Sequence, residues 1–198
     1  QNHDQIGNRA CGERLARLAG IDRYCAASML LLFLPMTPLL FMGQEWAASA
    51  PFLYFTDHHE ELGRAVTEGR RQEFARFAAF ADPSTRERIP DPQSPVTFER
   101  SRLDWSEPQQ DAHAATWRLH RRLLSLRRSE PALRERARTA FEVVPLDADS
   151  LLVVRMAGDG AAIDAHFNAM NRLLGMQTPP ARHNPAAIEA EVVDAAHD

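Results

Sequence analysis

The residues best suited to chemistry stand at the beginning of the sequence, where Asn2, His3 and Asp4 place an amide, an imidazole and a carboxylate in succession. Asp4 could accept hydrogen bonds from two neighbouring sugar hydroxyls, and beside a reacting sugar carbon it could stabilise an oxocarbenium-like transition state. His3 could exchange a hydrogen bond with a further hydroxyl. Asp4 could equally cap the helix that follows it. The residue types alone leave these two interpretations evenly matched.

A second carboxylate follows a short apolar run, in the segment Gly43-Gln44-Glu45-Trp46. Glu45 could form an acid/base pair with Asp4, because glycoside hydrolysis uses two carboxyl groups about 5 Å apart for retention and roughly 6.5–9.5 Å apart for inversion. Alternatively, Glu45 is a buried hydrogen-bonding residue at the end of a strand. The spacing in the sequence does not supply the distance that would decide between them.

The loop over residues 46–57 is rich in aromatic side chains, which are Trp46, Phe52, Tyr54 and Phe55. Aromatic faces stack against the CH groups of sugar rings, so Trp46 and Tyr54 are candidates for substrate contact. The alternative, which is equally plausible from the sequence, is that these rings cover the end of a barrel.

The histidines and cysteines do not suggest a metal or redox motif. The run Asp57-His58-His59-Glu60-Glu61 lacks the spacing of a helical zinc site and indicates the solvated start of a helix. His113 and His120 stand seven residues apart and are interpreted as packing or surface residues. Cys11 and Cys25 form no Cys-x-x-Cys pair, and we expect them to be buried, reduced thiols. We therefore expect no metal site.

Composition narrows the class of protein. The 198 residues are 44% hydrophobic, enough for one domain or one and a half, and their net charge of −4 favours neither nucleic acid nor a membrane surface as a partner. The 23 basic residues are all arginine, so no lysine is present for Schiff-base chemistry or a phosphate-binding loop. The apolar run 26–34 is too short for a membrane-spanning helix, which needs roughly 20 residues.

Hydrophobic periodicity indicates the elements that position these residues. Apolar residues recur at helical spacing over 12–34, with Gly20 dividing the segment into two helices. The continuous apolar run Leu39–Met42 predicts a strand buried on both faces, and further helices are predicted over 60–80 and 112–128. A helix, a tight turn, a buried strand and a functional loop follow one another as in a parallel α/β barrel, where catalytic groups collect at strand ends.

The pattern changes near residue 130, where we place a domain boundary. Strand-like runs over 141–144 and 151–154 flank a turn-rich segment, and they predict part of an all-β domain over 131–198. The tail 178–198 has no clear period.

Three stretches are specific enough to indicate a family: QNHDQIGNRA from Gln1, FMGQEWAASAPFLYFTDHHEELGRAVTEGRRQEFARF from Phe41, and PDPQSPVTFERSRLDW from Pro90. Together they resemble the malto-oligosyltrehalose trehalohydrolases of the α-amylase superfamily (glycoside hydrolase family 13). The first stretch alone would indicate only the superfamily. The resemblance covers residues 1–130 and fades beyond residue 155.

The resemblance implies a (β/α)8 barrel whose seventh strand ends at Asn2-His3-Asp4 and whose eighth strand is Leu39–Met42, followed by part of an all-β C-terminal domain. It implies a cytoplasmic enzyme that hydrolyses, with retention and without a cofactor, the α-1,4 bond next to the trehalose end of maltooligosyltrehalose. Asp4 would stabilise the transition state, and His3 would contact the sugar beside it. The rest of the substrate-contacting loop would be Gln5, Ile6, Gly7 and Asn8.

In this family the nucleophilic aspartate and the proton-donating glutamate end the fourth and fifth barrel strands, so we expect both to lie upstream of Gln1. On that expectation the 198 residues have no glycosidase activity alone and depend on further barrel strands to fold. Two rival functions stay open: another enzyme of the superfamily, such as a branching enzyme or α-amylase, and a non-catalytic carbohydrate-binding module. An unrelated α/β domain is the third alternative, and the sequence does not indicate the oligomeric state.

Overall fold

The structure is a computed structural model that describes residues 1–146, 150–158, 160 and 162–168. Its α-helices are α1 His3–Gly7, α2 Leu15–Ala19, α3 Ile21–Phe33, α4 Glu60–Phe74, α5 Pro83–Arg86, α6 Pro95–Arg100, α7 Asp111–Ser129 and α8 Pro131–Arg134. Short 3-10 turns occupy Gln44–Trp46, Ala78–Phe80, Glu107–Gln109 and Arg138–Ala140. The strands are β1 Phe141–Pro145, β2 Ser150–Met156 and β3 Ala162–Asn168.

The helices predicted from hydrophobic periodicity are confirmed. Gly20 separates α2 from α3, and its φ of 83° is one that residues with a side chain rarely adopt. The segment predicted over 60–80 forms α4 and a following 3-10 turn, and the segment over 112–128 forms α7. Residues 57–61 are exposed where α4 begins, as expected of a solvated helix start. Within the described residues, no helix combines the length and the apolar content needed to cross a membrane.

The described residues form two compact units. The first joins Gln1–Ile21 to Leu39–Arg118, and the second joins Asp22–Pro38 to the described residues from Leu119 onward. The domain boundary proposed near residue 130 stays a prediction.

In the first unit, one apolar cluster consists of Ala10, Phe74 and Ile89, with Cys11 and Phe80 packed against it. Beside it, Gly12 makes a close backbone contact, because the Phe52 amide donates to the Gly12 carbonyl oxygen at 3.0 Å. Gly12 has a φ of 61°, and a Cβ added there would lie 2.4 Å from the Phe52 carbonyl oxygen. Position 12 therefore requires glycine, for its backbone angle and for the space.

In the second unit, the strands form an antiparallel sheet in the order β1-β2-β3. Val153 of β2 stands opposite Val143 on one side and Ala165 on the other. The strands predicted over 141–144 and 151–154 are confirmed, whereas β3 was not predicted from the sequence. The core of this unit is built on Phe33, Leu133 and Val153.

Two arginines close the C-terminal end of α3, where the last carbonyl groups of a helix have no partner within the helix. Arg127 Nη1 donates to the carbonyl oxygens of Leu32 at 2.7 Å and Leu34 at 2.6 Å. Arg155, which is fully buried, donates from Nη1 to the carbonyl oxygen of Phe33. Burial lowers the pKa of both guanidinium groups from its ordinary value. Cationic donors at this position also complement the negative end of the helix dipole.

The prediction of a strand at Leu39–Met42 is wrong for the described structure, in which this run has no strand conformation. It is not buried on both faces either, because Leu39 is 66% exposed and Met42 is 41% exposed. A strand exists through pairing with a neighbour, and no described segment pairs with this run. Since every described strand belongs to the antiparallel sheet, the (β/α)8 barrel stays a prediction. The tail 178–198 lies outside the described residues.

Candidate active site

Helix α1 carries the polar run predicted to do chemistry, and a capping box fixes its first turn. Asn2 Oδ1 accepts a hydrogen bond from the Gln5 amide at 2.9 Å, and the Asn2 amide donates to Gln5 Oε1 at 3.0 Å. This reciprocal pair satisfies two backbone donors at the helix start. Asn2 is therefore the cap, and the interpretation of Asp4 as the helix cap is wrong.

His3 and Asp4 occupy the first two helical positions and lie side by side. His3 Nε2 is 3.2 Å from Asp4 Oδ1, and the two side chains are 66% and 71% exposed. An imidazole and a carboxylate at this distance can hydrogen-bond each other or bind neighbouring hydroxyls of one ligand. Both groups are exposed in the described part of the chain.

The rest of the predicted substrate loop alternates between exposed and covered positions. Gln5 and Asn8 are exposed, although Gln5 takes part in the capping box. Ile6 is fully buried, so its side chain anchors α1 to the protein. Gly7 is also buried, and Phe52 Cδ1 lies 3.7 Å from the point where a Cβ of Gly7 would stand. A Cβ at this position would make ordinary van der Waals contact with the ring, so Phe52 packs against α1 at Gly7 without requiring glycine there.

A row of aromatic rings connects His3 to the aromatic loop. The ring centres of His3 and Phe41 are 6.5 Å apart, and those of Phe41 and Phe52 are 4.8 Å apart with an edge-to-face geometry. Phe52 contacts Phe55 at 5.9 Å, and Phe55 contacts Phe98 at 5.3 Å, again edge to face. Each edge-to-face pair stabilises a fold by about 0.5–1.5 kcal/mol in addition to the contribution of the apolar area that it buries. The row thus supports the loop directly beside the His3 imidazole.

Arg70 of α4 holds α1 in place, and its role was not predicted from the sequence. Its Nη2 atom donates to the carbonyl oxygens of Gly7 at 2.6 Å and Arg9 at 2.9 Å. Its guanidinium carbon lies 4.7 Å from the ring centre of Tyr54, and burial lowers the pKa of the group from its ordinary value. The available signal was its position four residues before Phe74, on the face that α4 buries.

The candidates from the segment after Gly43 have different surroundings. Trp46 is 3% exposed and donates from Nε1 to Glu107 Oε2 at 3.1 Å, so its indole packs in the interior. Glu45 is half-buried, and no hydrogen bond or ion pair joins it to Asp4 in the described part of the chain. The acid/base pairing of these two carboxylates stays a prediction. Tyr54, by contrast, is 37% exposed beside the site.

The cysteines and the helical histidines occupy packing positions. Cys11 and Cys25 are both half-buried, so the prediction that they are buried is wrong. Burial raises the pKa of Cys11, which keeps its thiol protonated. His113 Nδ1 lies 2.8 Å from the Trp46 carbonyl oxygen, and His120 is buried, which confirms their interpretation as packing residues. No group of three potential metal ligands occurs in the described ranges.

Comparison with known proteins gives extensive similarity, although no protein-family model matches the chain. The chain is 48% identical over 163 residues to the malto-oligosyltrehalose trehalohydrolase of Deinococcus radiodurans, covering 82% of this chain and 26% of that relative. The enzyme of the same name from Arthrobacter ramosus is 48% identical over 132 residues, which cover 66% of this chain and 22% of that relative. The one from Saccharolobus solfataricus is 41% identical over 106 residues, which cover 53% of this chain and 17% of that relative.

A solved structure is similar as well. It is a 1.4 Å crystal structure of a Salmonella typhimurium protein assigned as an alpha amylase, with a TM-score of 0.72 and 40% identity, covering 85% of this chain and 28% of that one. Fold and sequence together make the chain a relative of the glycoside hydrolases of the α-amylase type. Within that class it is related to the malto-oligosyltrehalose trehalohydrolases, which confirms the resemblance seen in the sequence. The chain spans about a quarter of the length of these relatives.

Proposed function

We propose that this chain supplies part of the active site of a malto-oligosyltrehalose trehalohydrolase. The reaction is hydrolysis, with retention, of the α-1,4-glucosidic bond next to the trehalose end of maltooligosyltrehalose. The observation that carries the proposal is the exposed His3–Asp4 pair, with its Nε2 and Oδ1 atoms 3.2 Å apart at the start of a capped helix. The similarity to enzymes of this name supports it.

Asp4 is assigned the role of stabilising the transition state. Positive charge develops on the sugar ring as the glycosidic bond breaks, so a carboxylate held beside the ring lowers the barrier. His3 binds a neighbouring hydroxyl of the same sugar. The capping box of Asn2 and Gln5 matters for this role, because a displacement of roughly 1 Å can cost about 100-fold in rate.

Further residues of the site bind substrate or hold the residues that do. Gln5 and Asn8 are assigned to substrate contact because both are exposed. Ile6 and Gly7 are buried, so they contribute the position of the loop rather than side-chain contacts. Tyr54 is an exposed ring that could stack on a sugar, a role for which the buried Trp46 is not suited.

Retaining hydrolysis also needs a nucleophile and a proton donor, and neither is assigned to these 198 residues. In the enzymes that the chain resembles, both groups end earlier strands of the barrel. We therefore expect the 198-residue chain alone to release no trehalose from maltooligosyltrehalose.

The test is a chimera in which this sequence replaces the matching segment of the D. radiodurans relative. We expect it to release trehalose, and we expect Asp4→Asn to lower kcat by about 10³-fold, with a smaller change in KM, because the interaction forms chiefly in the transition state. Asp22→Asn is the matched control, since it changes an exposed carboxylate of α3. Trehalose release at the parent rate by a folded Asp4→Asn chimera would refute the assignment.

The Salmonella typhimurium structure favours a second candidate function, which is the cleavage or rearrangement of other α-glucans. Product analysis separates the candidates. Trehalose from maltooligosyltrehalose supports the first proposal, maltooligosaccharides from starch indicate an α-amylase, and new α-1,6 branches indicate a branching enzyme. Oligosaccharide binding by the chain, without turnover by the chimera, would indicate a carbohydrate-binding module.

A further inference from the structure

A cavity in the second unit is lined by four arginines and two leucines, which are Leu124, Arg127, Arg128, Leu133, Arg134 and Arg136. Its volume is about 600 Å³, within the range of about 300–1,000 Å³ that is common for sites of small organic ligands. It shares no residue with the proposed active site. What the cavity could bind is therefore a question separate from sugar hydrolysis.

Arg127 gives the cavity a fixed positive charge. Its guanidinium group donates to the carbonyl oxygens of Leu32, Leu34 and Met36 at 2.6–2.7 Å. Three hydrogen bonds to the backbone hold the side chain in one orientation, so little further conformational entropy is lost when a ligand binds. The charge of Arg136 adds to burial in lowering the pKa of Arg127, because the two groups lie within electrostatic reach.

The other three guanidinium groups carry no counter-charge from the described residues. Arg128, Arg134 and Arg136 are exposed, and no carboxylate in the described ranges lies within ion-pair distance of them. Glu135 stands between two of them in sequence, but its Oε1 atom accepts the backbone amides of Arg136 at 2.8 Å and Ala137 at 2.9 Å. A positive potential is thus concentrated in a chain whose net charge is −4.

A helix end explains part of this arrangement. Arg127 and Arg128 stand in the last turn of α7, where cations are favoured by the helix dipole. Arg136 follows α8 outside any helix, and Arg134 ends a helix of four residues, so the dipole of α7 does not account for them. Four like charges around one cavity repel each other, and an anion bound among them would remove that repulsion.

We propose that this cavity binds a small organic phosphate. Arg128, Arg134 and Arg136 donate hydrogen bonds to the phosphate oxygens, because the planar guanidinium fork matches a phosphate group in a bidentate geometry. Arg127 contributes its fixed charge. The half-buried Leu124 offers apolar surface to the organic part of the ligand, which inorganic phosphate lacks.

Isothermal titration calorimetry of the 198-residue chain at low ionic strength tests the proposal, with ribose 5-phosphate, ribose and inorganic phosphate as probes. We expect ribose 5-phosphate to bind, inorganic phosphate to bind at least about threefold more weakly, and ribose not to bind. The same titrations on the chimera defined above cover the case in which the isolated chain needs further strands to fold.

The decisive variant is Arg134→Gln/Arg136→Gln. We expect it to weaken ribose 5-phosphate binding by at least about 30-fold, because each charge-assisted hydrogen bond contributes roughly tenfold. Arg121→Gln/Arg122→Gln is the matched control, which removes the same charge from exposed positions of α7 outside the cavity and is expected to change affinity less than about threefold. Circular dichroism establishes that both variants are folded.

Three results would overturn the proposal. The first is the absence of ribose 5-phosphate binding by the folded chain or chimera. The second is an equal loss of affinity in the two double variants, which would show a dependence on net charge alone. The third is equal affinity for inorganic phosphate and ribose 5-phosphate, which would remove the role of the organic group.

Discussion

Arg70 donates a hydrogen bond of 2.6 Å to the carbonyl oxygen of Gly7, and so ties α4 to the helix that carries His3 and Asp4. The same Nη2 atom reaches the carbonyl oxygen of Arg9 at 2.9 Å. Arg70 therefore fixes the end of α1, while the capping box fixes its beginning. A helix of five residues is not stable by itself, so these contacts determine where the candidate catalytic pair stands.

Replacing Arg70 by Met keeps much of the side-chain volume but leaves two carbonyl groups without their donor. We expect Arg70→Met to lower the free energy of unfolding by about 2–4 kcal/mol, because each unsatisfied buried group costs about 1–3 kcal/mol. Urea denaturation of the chimera defined above, with and without the substitution, measures the change. Arg64→Met is the control on the exposed side of α4, where the ion pair with Glu60 contributes at most about 1 kcal/mol. Equal losses in the two variants would contradict the positioning role of Arg70.

The capping box predicts a local effect at position 2. Asn2→Ala removes the acceptor for the Gln5 amide and is expected to destabilise α1 by about 1 kcal/mol. Hydrogen exchange of the Gln5 amide should accelerate by about fivefold, since 1.4 kcal/mol corresponds to tenfold. NMR-detected exchange measures this rate, and Asn2→Asp, which keeps an acceptor oxygen, should change it by less than about twofold. An unchanged rate in Asn2→Ala would show that Asn2 does not cap α1 in solution.

Local features of the fold were predictable from the sequence, and features that depend on distant partners were not. The break at Gly20 and the helix α7 follow from periodicity within one segment. The run Leu39–Met42 has the composition of a buried strand, but strand formation needs a paired neighbour that the described residues do not provide. The strand β3 was missed because it contains few β-branched residues, and its pairing with β2 defines it.

The candidate site shows the same division. His3 and Asp4 could be proposed as candidates because their side chains carry chemistry that can be recognised without a structure. Arg70 was missed because it acts on backbone carbonyl groups 61 and 63 residues away in the sequence. Trp46 was considered for substrate contact because it lies in an aromatic loop, yet its indole is buried and donates to Glu107, which is 61 residues further along the chain.

Two glycines predict opposite effects of the same substitution. Gly12 has a positive φ, and a Cβ there would collide with the Phe52 backbone, so Gly12→Ala should destabilise by about 3 kcal/mol or more. Gly69 lies within α4 with open space around it. Gly69→Ala should therefore raise the free energy of unfolding by about 0.5–1 kcal/mol, because alanine has a higher helix propensity than glycine. Chemical denaturation of both variants, made in the same chimera, measures the two changes in the free energy of unfolding, which should have opposite signs. A Gly12→Ala variant as stable as the parent would contradict the close contact with Phe52.

Two aspartates on the surface share one local motif, in which the carboxylate accepts hydrogen bonds from the serine two residues later. Asp104 Oδ1 accepts the Ser106 hydroxyl at 2.7 Å and the Ser106 amide at 2.8 Å, and Asp82 accepts the same groups of Ser84 at 2.8 Å each. The side-chain bond first, and the backbone bond second, lower the pKa of both carboxyl groups from their ordinary value. These bonds stabilise the charged form.

Ser106→Ala removes the hydroxyl donor of this motif and keeps the amide, so the pKa of Asp104 should rise part of the way to its ordinary value. Asp82 is the internal control, and its pKa should not change. NMR titration of the carboxyl carbons measures both groups. A lowered pKa stabilises the folded state at pH values above the unfolded-state pKa, and this stabilisation is lost as the pH falls through the folded-state pKa. Because the folded-state pKa of Asp104 is higher in the variant, its contribution should disappear at a higher pH. If the pKa of Asp104 does not change, or changes together with the pKa of Asp82, the Ser106 hydroxyl is not the cause of the lowered pKa.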